Sequence, residues 1–186
     1  MATEIVKSTA ITDLDASPAK RATSGKGGKG LVTIVDGSCH VTSGVTAAGA
    51  SYYRLVRVPS NCIVKKVEMW LDAAGTTITG DIGLYYSDSP NLDGTSNANV
   101  AAAGTPINAD HFGSAVALAA VVTPTEYTFE ATTYLAADTR LELWNTASSG
   151  LTSDPGGFFD IVFTLTSTAG SAADVNLRAE IVLPGS

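Results

Sequence analysis

Two cysteines and two histidines are the side chains of this sequence best suited to nucleophilic or metal chemistry. Cys39 and His40 are neighbours, and neighbouring residues on a strand point to opposite faces, so they do not pair with each other. A dyad of Cys39 or Cys62 with His111 stays open, but neither cysteine has a CxxC or other metal-ligand spacing. The simpler interpretation is a pair of reduced, buried thiols and a surface imidazole.

The glycine-rich string GKGGKG, at residues 25–30, is a second candidate because such loops hold phosphates with their backbone N–H groups. A P-loop needs lysine and then serine or threonine directly after its last glycine, between a strand and a helix. Here Leu31 follows Gly30 and opens a β-branched stretch, so a flexible hinge is the preferred interpretation. The serines contain no G-x-S-x-G elbow, and we predict neither an enzyme nor a cofactor.

Oxygen ligands cluster in the string SDSPNLDG at residues 87–94. Asp88, Asn91 and Asp93 would suit a weak Ca²⁺ site, but their spacing is not that of an EF-hand loop. The same residue types are strong turn formers, so the string favours a turn and we predict no metal site. Whether these three residues bind a cation stays open at this point.

Aromatic residues leave a carbohydrate-binding module as an alternative function. The residues that would form a sugar-stacking platform are Trp70, Trp144, Tyr52, Tyr53, Tyr85 and Tyr86. Aromatic side chains at alternating strand positions belong more often to the core or to the sheet surface than to a ligand site. The platform is therefore the weaker interpretation of these residues.

Charge is unevenly distributed along the 186 residues, whose formal net charge is −7. The first thirty residues hold five cations against three carboxylates, which leaves six cations and fifteen carboxylates, from totals of 11 and 18, for the remainder. The five cations are Lys7, Lys20, Arg21, Lys26 and Lys29. We predict that they bind the acidic body of a neighbouring copy. An acidic chain without a long apolar run predicts no binding to nucleic acid or membrane.

Residues 1–30 are predicted to form a flexible N-terminal arm, and residues 31–186 one domain. The stretch SPAKRATSGKGGKG is rich in Gly, Ser and Lys and buries too little apolar surface to offset its ordering entropy. The opening MATEIVKSTAITDLDAS has no apolar signal region, so we expect synthesis in the cytoplasm.

Alternating apolar residues predict about eight strands after residue 30. The predicted strands are LVTIV (31–35), YYRLVRV (52–58), IVKKVEMWL (63–71), DIGLYY (81–86), YTFE (127–130), RLELW (140–144), FFDIVFTLT (158–166) and DVNLRAEIVL (174–183). Asp36 and Gly37 predict a turn directly after the first of them. In the third, Ile63 is expected on one face with Val67, Met69 and Leu71.

An all-β fold follows, with antiparallel sheets packed on each other as a β-sandwich of jelly-roll type. An immunoglobulin-like sandwich is the second choice, because Cys39 and Cys62 are too close for its disulfide spacing. At most one short helix is expected, in NADHFGSAVALA (108–119), where Asn108 or Asp110 would cap it; an irregular excursion is the other possibility.

Two strings resemble the small capsid decoration, cement or head proteins of tailed bacteriophages. They are YYRLVRVPSNCIVKKVEMWLDA and GDIGLYYSDSP. The matching residues are Arg54, Val56, Arg57, Val58, Pro59, Ser60 and Asn61, followed by Asp81, Gly83, Leu84 and Tyr85. The strings NADHFGSAVALA, PGGFFDIVFTLT and VKSTAITDLDASP also fit this family, so the resemblance covers most of the chain.

The resemblance implies a structural virion protein that bridges neighbouring capsid subunits. Its partners would be the major capsid protein and further copies of itself, with a trimer as the expected oligomer. Its location would be the virion capsid, after synthesis in the host cytoplasm. The alternatives are another virion component, such as a head–tail or tail attachment protein, and the carbohydrate-binding module.

Overall fold

The computed structural model describes residues 5–7, 11–12, 32–45, 51–72, 77–87, 105–119, 123–131 and 133–183. Nine strands occur in these ranges: β1 (Ile5–Lys7), β2 (Val32–Val41), β3 (Tyr52–Pro59), β4 (Ile63–Leu71), β5 (Thr77–Tyr86), β6 (Pro106–Ala119), β7 (Thr125–Glu126), β8 (Phe158–Leu165) and β9 (Ala173–Val182). Three single 3-10 turns lie between β7 and β8, at Asp138–Arg140, Leu143–Asn145 and Ala147–Ser149.

The strands form two sheets, which we call sheet A and sheet B. Sheet A has the order β1-β3-β8-β5-β6 and sheet B the order β2-β9-β4-β7. All pairs are antiparallel except β1 with β3, which is parallel. Apolar side chains of both sheets make one buried core. The prediction of an all-β sandwich is confirmed, and the jelly-roll connectivity stays a prediction.

The predicted inward-facing residues of β8 and β9 all pack against this core. Every second residue of β9 from Val175 to Ile181 is buried, and β8 buries Phe159, Ile161 and Phe163 in the same way. β8 lies in the centre of sheet A, and its outward side is also covered, since Val162 and Asp160 are fully buried.

A β-bulge in β4 changes the predicted face of its first residues. The pairing with β9 shifts register between Val64 and Lys66, so Val64 rather than Ile63 enters the core with Met69 and Leu71. A bulge inserts one residue and inverts the alternation on one side of it, which simple period-2 counting does not anticipate.

The turn predicted at Asp36 and Gly37 is wrong. β2 continues through both residues to Val41 and keeps an unbroken register with β9. Gly37 fits because sheet A comes very close there: a Cβ on Gly37 would lie 1.8 Å from the Leu55 carbonyl oxygen. The glycine therefore serves a close approach of two backbones and not a turn.

Three further expectations about local structure are corrected. The string predicted as a helix at 108–119 belongs to β6, which pairs with β5 through several register shifts and has Ala115 at φ 51°. Pairing with β5 outweighs the helix propensity of its alanines. The strings 127–130 and 140–144 are turns and 3-10 turns rather than strands.

Part of the predicted arm is described. Ile5–Lys7 forms β1 on the edge of sheet A, and Ile11 is fully buried. The division at residue 30 stays a prediction, since most of residues 1–30 lie outside the described ranges. Within the described ranges, no helix has the length and apolar character needed to cross a membrane.

Candidate interaction surface

One edge of sheet B, formed by β2, is open within the described ranges. β2 is the outermost strand of that sheet, and within the described ranges it pairs with β9 alone. Val32 and Ile34 point outward from the start of β2 and are each 57% exposed. A regular strand with open backbone groups and exposed apolar side chains is a ready template for another strand.

A row of charged side chains crosses the outer face of sheet B beside this edge. Arg178 of β9 donates from Nε to Asp36 Oδ1 at 3.0 Å, and its Nη1 lies 4.0 Å from Glu68 Oε2. Lys66 Nζ lies 2.7 Å from Glu68 Oε1. The hydrogen bonds that Arg178 and Lys66 donate to Asp36 and Glu68, respectively, are the main reason that the pKa values of these two cations are raised. Both cations are therefore already paired.

Trp70 of β4 lies on the same face, opposite Asn176 of β9. The Arg178 guanidinium carbon is 5.5 Å from the centroid of its ring, a cation–π geometry. A shallow depression of about 390 Å³ adjoins the ring and extends to residues of β2. It is lined by Asp36, Gly37, Ser38, Trp70, Asn176, Leu177 and Arg178.

The outer face of sheet B is acidic. Lys66 and Arg178 are its cations, and its carboxylates are more numerous. They belong to Asp36, Glu68, Asp72, Glu126, Asp174 and Glu180. Asp174 Oδ1 also lies 2.6 Å from His40 Nδ1 at the far end of β2. A partner of opposite charge would be attracted to this face, and a second acidic face would be repelled.

Sheet A has a long edge strand as well, but side chains and turns cover it. Glu130 Oε2 accepts the Ser114 amide at 2.8 Å. Next to it, where β6 bulges, Asp81 Oδ1 of the paired strand β5 accepts the Ala115 amide at 2.7 Å. The Ala131 amide donates to the Phe112 carbonyl at 2.9 Å. Bulges and side-chain contacts of this kind prevent strand addition.

A buried ion cluster joins β3 and β8, two neighbouring strands of sheet A. Arg54 Nη1 and Arg57 Nε each donate to Asp160 at 2.7 Å, and all three side chains are at most 2% exposed. A bulge between Arg54 and Val56 puts two arginines three residues apart on one face. These residues of the phage-like string therefore act within the fold, since charges buried this deeply need partners.

The residues of the candidate dyad contact other groups of the fold. His111 is fully buried, not a surface imidazole; it packs on Phe112 and Tyr134 and lies 2.9 Å from Ser148 Oγ through Nδ1. Burial lowers the pKa of His111 to about 3, which makes it a poor general base near neutral pH.

Both cysteines are buried thiols outside any disulfide, as predicted. Burial raises the pKa of the Cys62 thiol, which disfavours the reactive thiolate. Cys39 Sγ lies 3.5 Å from the Arg54 carbonyl oxygen, so this thiol contacts backbone and not an imidazole.

The aromatic residues do not form one platform. Trp70 lies on sheet B, whereas Tyr52 and Tyr85 stack at 6.0 Å on sheet A and Tyr53 is in the core. Trp144 lies in a 3-10 turn and donates from Nε1 to Glu142.

Few of the predicted ligand residues lie within the described ranges. Lys7 ends β1 opposite Arg54 and is half-buried. Lys20, Arg21, Lys26 and Lys29 lie outside those ranges, as do Asp88, Asn91 and Asp93. Among the described side chains, no group of three or more His, Cys, Asp or Glu is placed to hold a metal ion. Sequence reasoning missed the open edge of β2, because strand order is not written in a local pattern.

Two solved structures are similar to this chain. A chain of the capsid of Ralstonia phage GP4 matches with a TM-score of 0.55 at 15% identity, over 98% of this chain and 99% of that chain. A chain of the Cyanophage Pam1 capsid asymmetric unit matches with a TM-score of 0.46 at 19% identity, over 91% of this chain and 97% of that chain. No family model and no curated protein matches. The likeness to the GP4 chain shows a shared fold.

Proposed function

We propose that the chain is a structural protein of a tailed-phage virion that decorates and cements the capsid by bridging neighbouring capsid subunits. The observation that carries the proposal is the end-to-end likeness of its fold to a chain of the GP4 capsid, since almost nothing of either chain is left over. The phage-like strings identified in the sequence are consistent with it, because they fall on β3, β4 and β5 within the sandwich.

The surface of the sandwich supports a role in assembly. An open β2 edge and an acidic outer face on sheet B offer hydrogen-bonding groups and charge over a wide area. Such contacts are individually weak, but a shell repeats each of them many times, and linked contacts reinforce one another. The rigid core between the sheets would let each copy transmit load from one capsomer to the next.

Copy number in purified virions tests this proposal. Quantitative mass spectrometry would compare the abundance of this chain with that of the major capsid protein from the same particles. A cement protein is expected in a fixed ratio to the shell subunit, in hundreds of copies. A handful of copies would instead assign it to the head–tail junction or tail, and absence from the particle would overturn the proposal.

A second measurement separates cementing from decoration alone. Virions with and without this protein would be heated, and DNA release would be followed with a dye. Loss of a cement is expected to lower the temperature of DNA release, because fewer contacts oppose the internal pressure. An unchanged release temperature would leave a coat protein that does not cement.

A further inference from the structure

We propose that the open edge of β2 receives the basic segment at residues 13–31 of a second copy, which adds as an extended strand. This inference rests on the proposed function, because a shell lattice brings copies of the chain together. It specifies a docking site, an occupant and the type of contact.

The acceptor is built from residues 32–38 of β2. Their backbone pairs with β9 on one side, and within the described ranges no other strand, turn or side chain bonds to their backbone on the other side. Seven residues of strand span about 23 Å, enough for several ladder hydrogen bonds. Val32 and Ile34, each 57% exposed, would be partly covered by an added strand.

Charge identifies the occupant. The outer face beside the edge is acidic, and its cations Lys66 and Arg178 are already paired with Glu68 and Asp36. Residues 13–31 carry four cations, at Lys20, Arg21, Lys26 and Lys29, against Asp13 and Asp15. Strand addition supplies affinity through the backbone, while side chains at alternate positions select the partner.

The spacing of the lysines in this segment matches the spacing of carboxylates on the outer face of sheet B. In an extended segment, Lys20 and Lys26 lie on one face, six residues apart. On the outer face of sheet B, Asp174 and Glu180 of β9 are also six residues apart, with Asp36 of β2 between them along the sheet. Long lysine side chains on an added strand would reach across β2 toward these carboxylates.

The alternative occupant, β2 of a second copy, is disfavoured by the same charges. A two-fold pairing of β2 with β2 would place two acidic outer faces side by side, which costs free energy through like-charge repulsion. Segment-to-edge docking is heterologous when each copy gives its segment to one neighbour and receives a segment from another. Such a contact forms a ring if the rotation between copies closes, as in the expected trimer, whereas β2-to-β2 pairing gives a dimer.

The first test measures the mass of the full-length protein by sedimentation and mass photometry. We expect a closed oligomer larger than a dimer, and complete dissociation to monomer for Ile34→Lys, which puts a cation in the path of a basic strand. Leu135→Lys is the matched control, because Leu135 is 54% exposed and lies far from β2 in the chain. Circular dichroism confirms that both variants are folded.

A complementation experiment tests the occupant. The Ile34→Lys chain retains the segment, and a Lys20→Glu/Lys26→Glu chain retains the edge. Each alone is expected to be a monomer, and an equimolar mixture is expected to form a one-to-one dimer that does not grow. Cross-linking of carboxylates to lysines in a mixture of ¹⁵N-labelled and unlabelled wild-type chains should join Lys20 or Lys26 to Asp36 or Glu180 between chains.

Several results would overturn the inference. A wild-type dimer that Lys20→Glu/Lys26→Glu leaves intact would identify β2 pairing with itself. A wild-type monomer, or an Ile34→Lys oligomer of unchanged mass, would remove the edge as a contact. Neither result touches the copy number in virions, so this inference and the proposed function can fail separately.

Discussion

Among the described residues, two long strands lie at sheet edges, and their edges differ in how well they are protected. β6, on sheet A, has shifted registers against β5, a left-handed Ala115 and amides accepted by Glu130 and Asp81. β2, on sheet B, keeps one register with β9 for ten residues and exposes Val32 and Ile34. One edge is protected against strand addition, and the other keeps the features that favour it.

This difference shows that one edge strand of a sandwich can be protected while another stays open to strand addition. Covering β6 requires the segment after β7, whose turns are held to the fold by backbone bonds from Leu143 to Cys62 and from Trp144 to Ser60. No described segment does the same for residues 32–38 of β2. Substitutions at β6 should therefore change folding stability, whereas substitutions at the β2 edge should change assembly.

The largest effect is expected where β2 is held against sheet A. Gly37→Ala would place a methyl group 1.8 Å from the Leu55 carbonyl oxygen, so one of the two backbones has to move. Overpacking of this kind costs about 3 kcal/mol of unfolding free energy. Urea denaturation measures it, and Gly170→Ala, with open space around its Cβ position, is the control. Equal stabilities for the two variants would show that β2 is not held by this contact.

We expect acid to destabilise β6, the protected edge, before it affects the pairing of β2 with β9. His111 of β6 has its pKa lowered to about 3 by burial, whereas an unfolded histidine titrates near 6.5. Above pH 6.5 both states are neutral and this group adds no pH dependence. Below it the unfolded state binds the proton first, so the free energy of unfolding falls by about 1.4 kcal/mol per pH unit until pH nears 3.

Between pH 6 and 4.5 the expected loss from His111 is about 2 kcal/mol. Denaturation curves at each pH measure it, and amide exchange should show β6 opening while β2 keeps its protection toward β9. His111→Asn should flatten the slope between pH 6 and 5. His40→Asn, which removes the exposed histidine and retains the buried one, should keep it. A slope that survives in His111→Asn would contradict this account.

Long, regular strands could be predicted from the sequence, and irregular segments could not. In β8 and β9 the inward-facing apolar residues recur at every second position over eight to ten residues. The prediction of a strand therefore does not depend on any single residue. The string at 140–144 has strand-like residues, but its backbone bonds to the β3–β4 corner instead of entering a ladder. Thr146 and Ser149 add side-chain bonds to Leu143 and Thr146 carbonyls that favour 3-10 turns.

The candidate surface depended on information that no short string holds. Val32 and Ile34 look like core residues in LVTIV, and their exposure follows from the position of β2 at the end of a sheet order. Likewise, Arg54 and Arg57 are expected on opposite faces until a bulge brings both to Asp160. Pairing partners distant in sequence decide these features, and a single sequence does not reveal them.

The smallest effect is expected from removing a side chain that protects the β6 edge. Glu130→Ala removes the carboxylate that accepts the Ser114 amide, and water replaces it because this bond is exposed. The loss of unfolding free energy should be about 1 kcal/mol or less. Amide exchange at Ser114 is the sharper measurement, since that one amide should exchange faster while its neighbours keep their rates.

Glu142→Ala is the matched control for this prediction, because it removes a carboxylate bonded to Trp144 and not to a strand edge. It should leave Ser114 unchanged, and an unchanged Ser114 in Glu130→Ala would show that the carboxylate does not protect β6. The same amide exchange rates can then be compared with those of β2. The outward amides of residues 32–38 should exchange fast in Ile34→Lys monomers and slowly in the wild-type oligomer, because there protection comes from a neighbour and not from the chain itself.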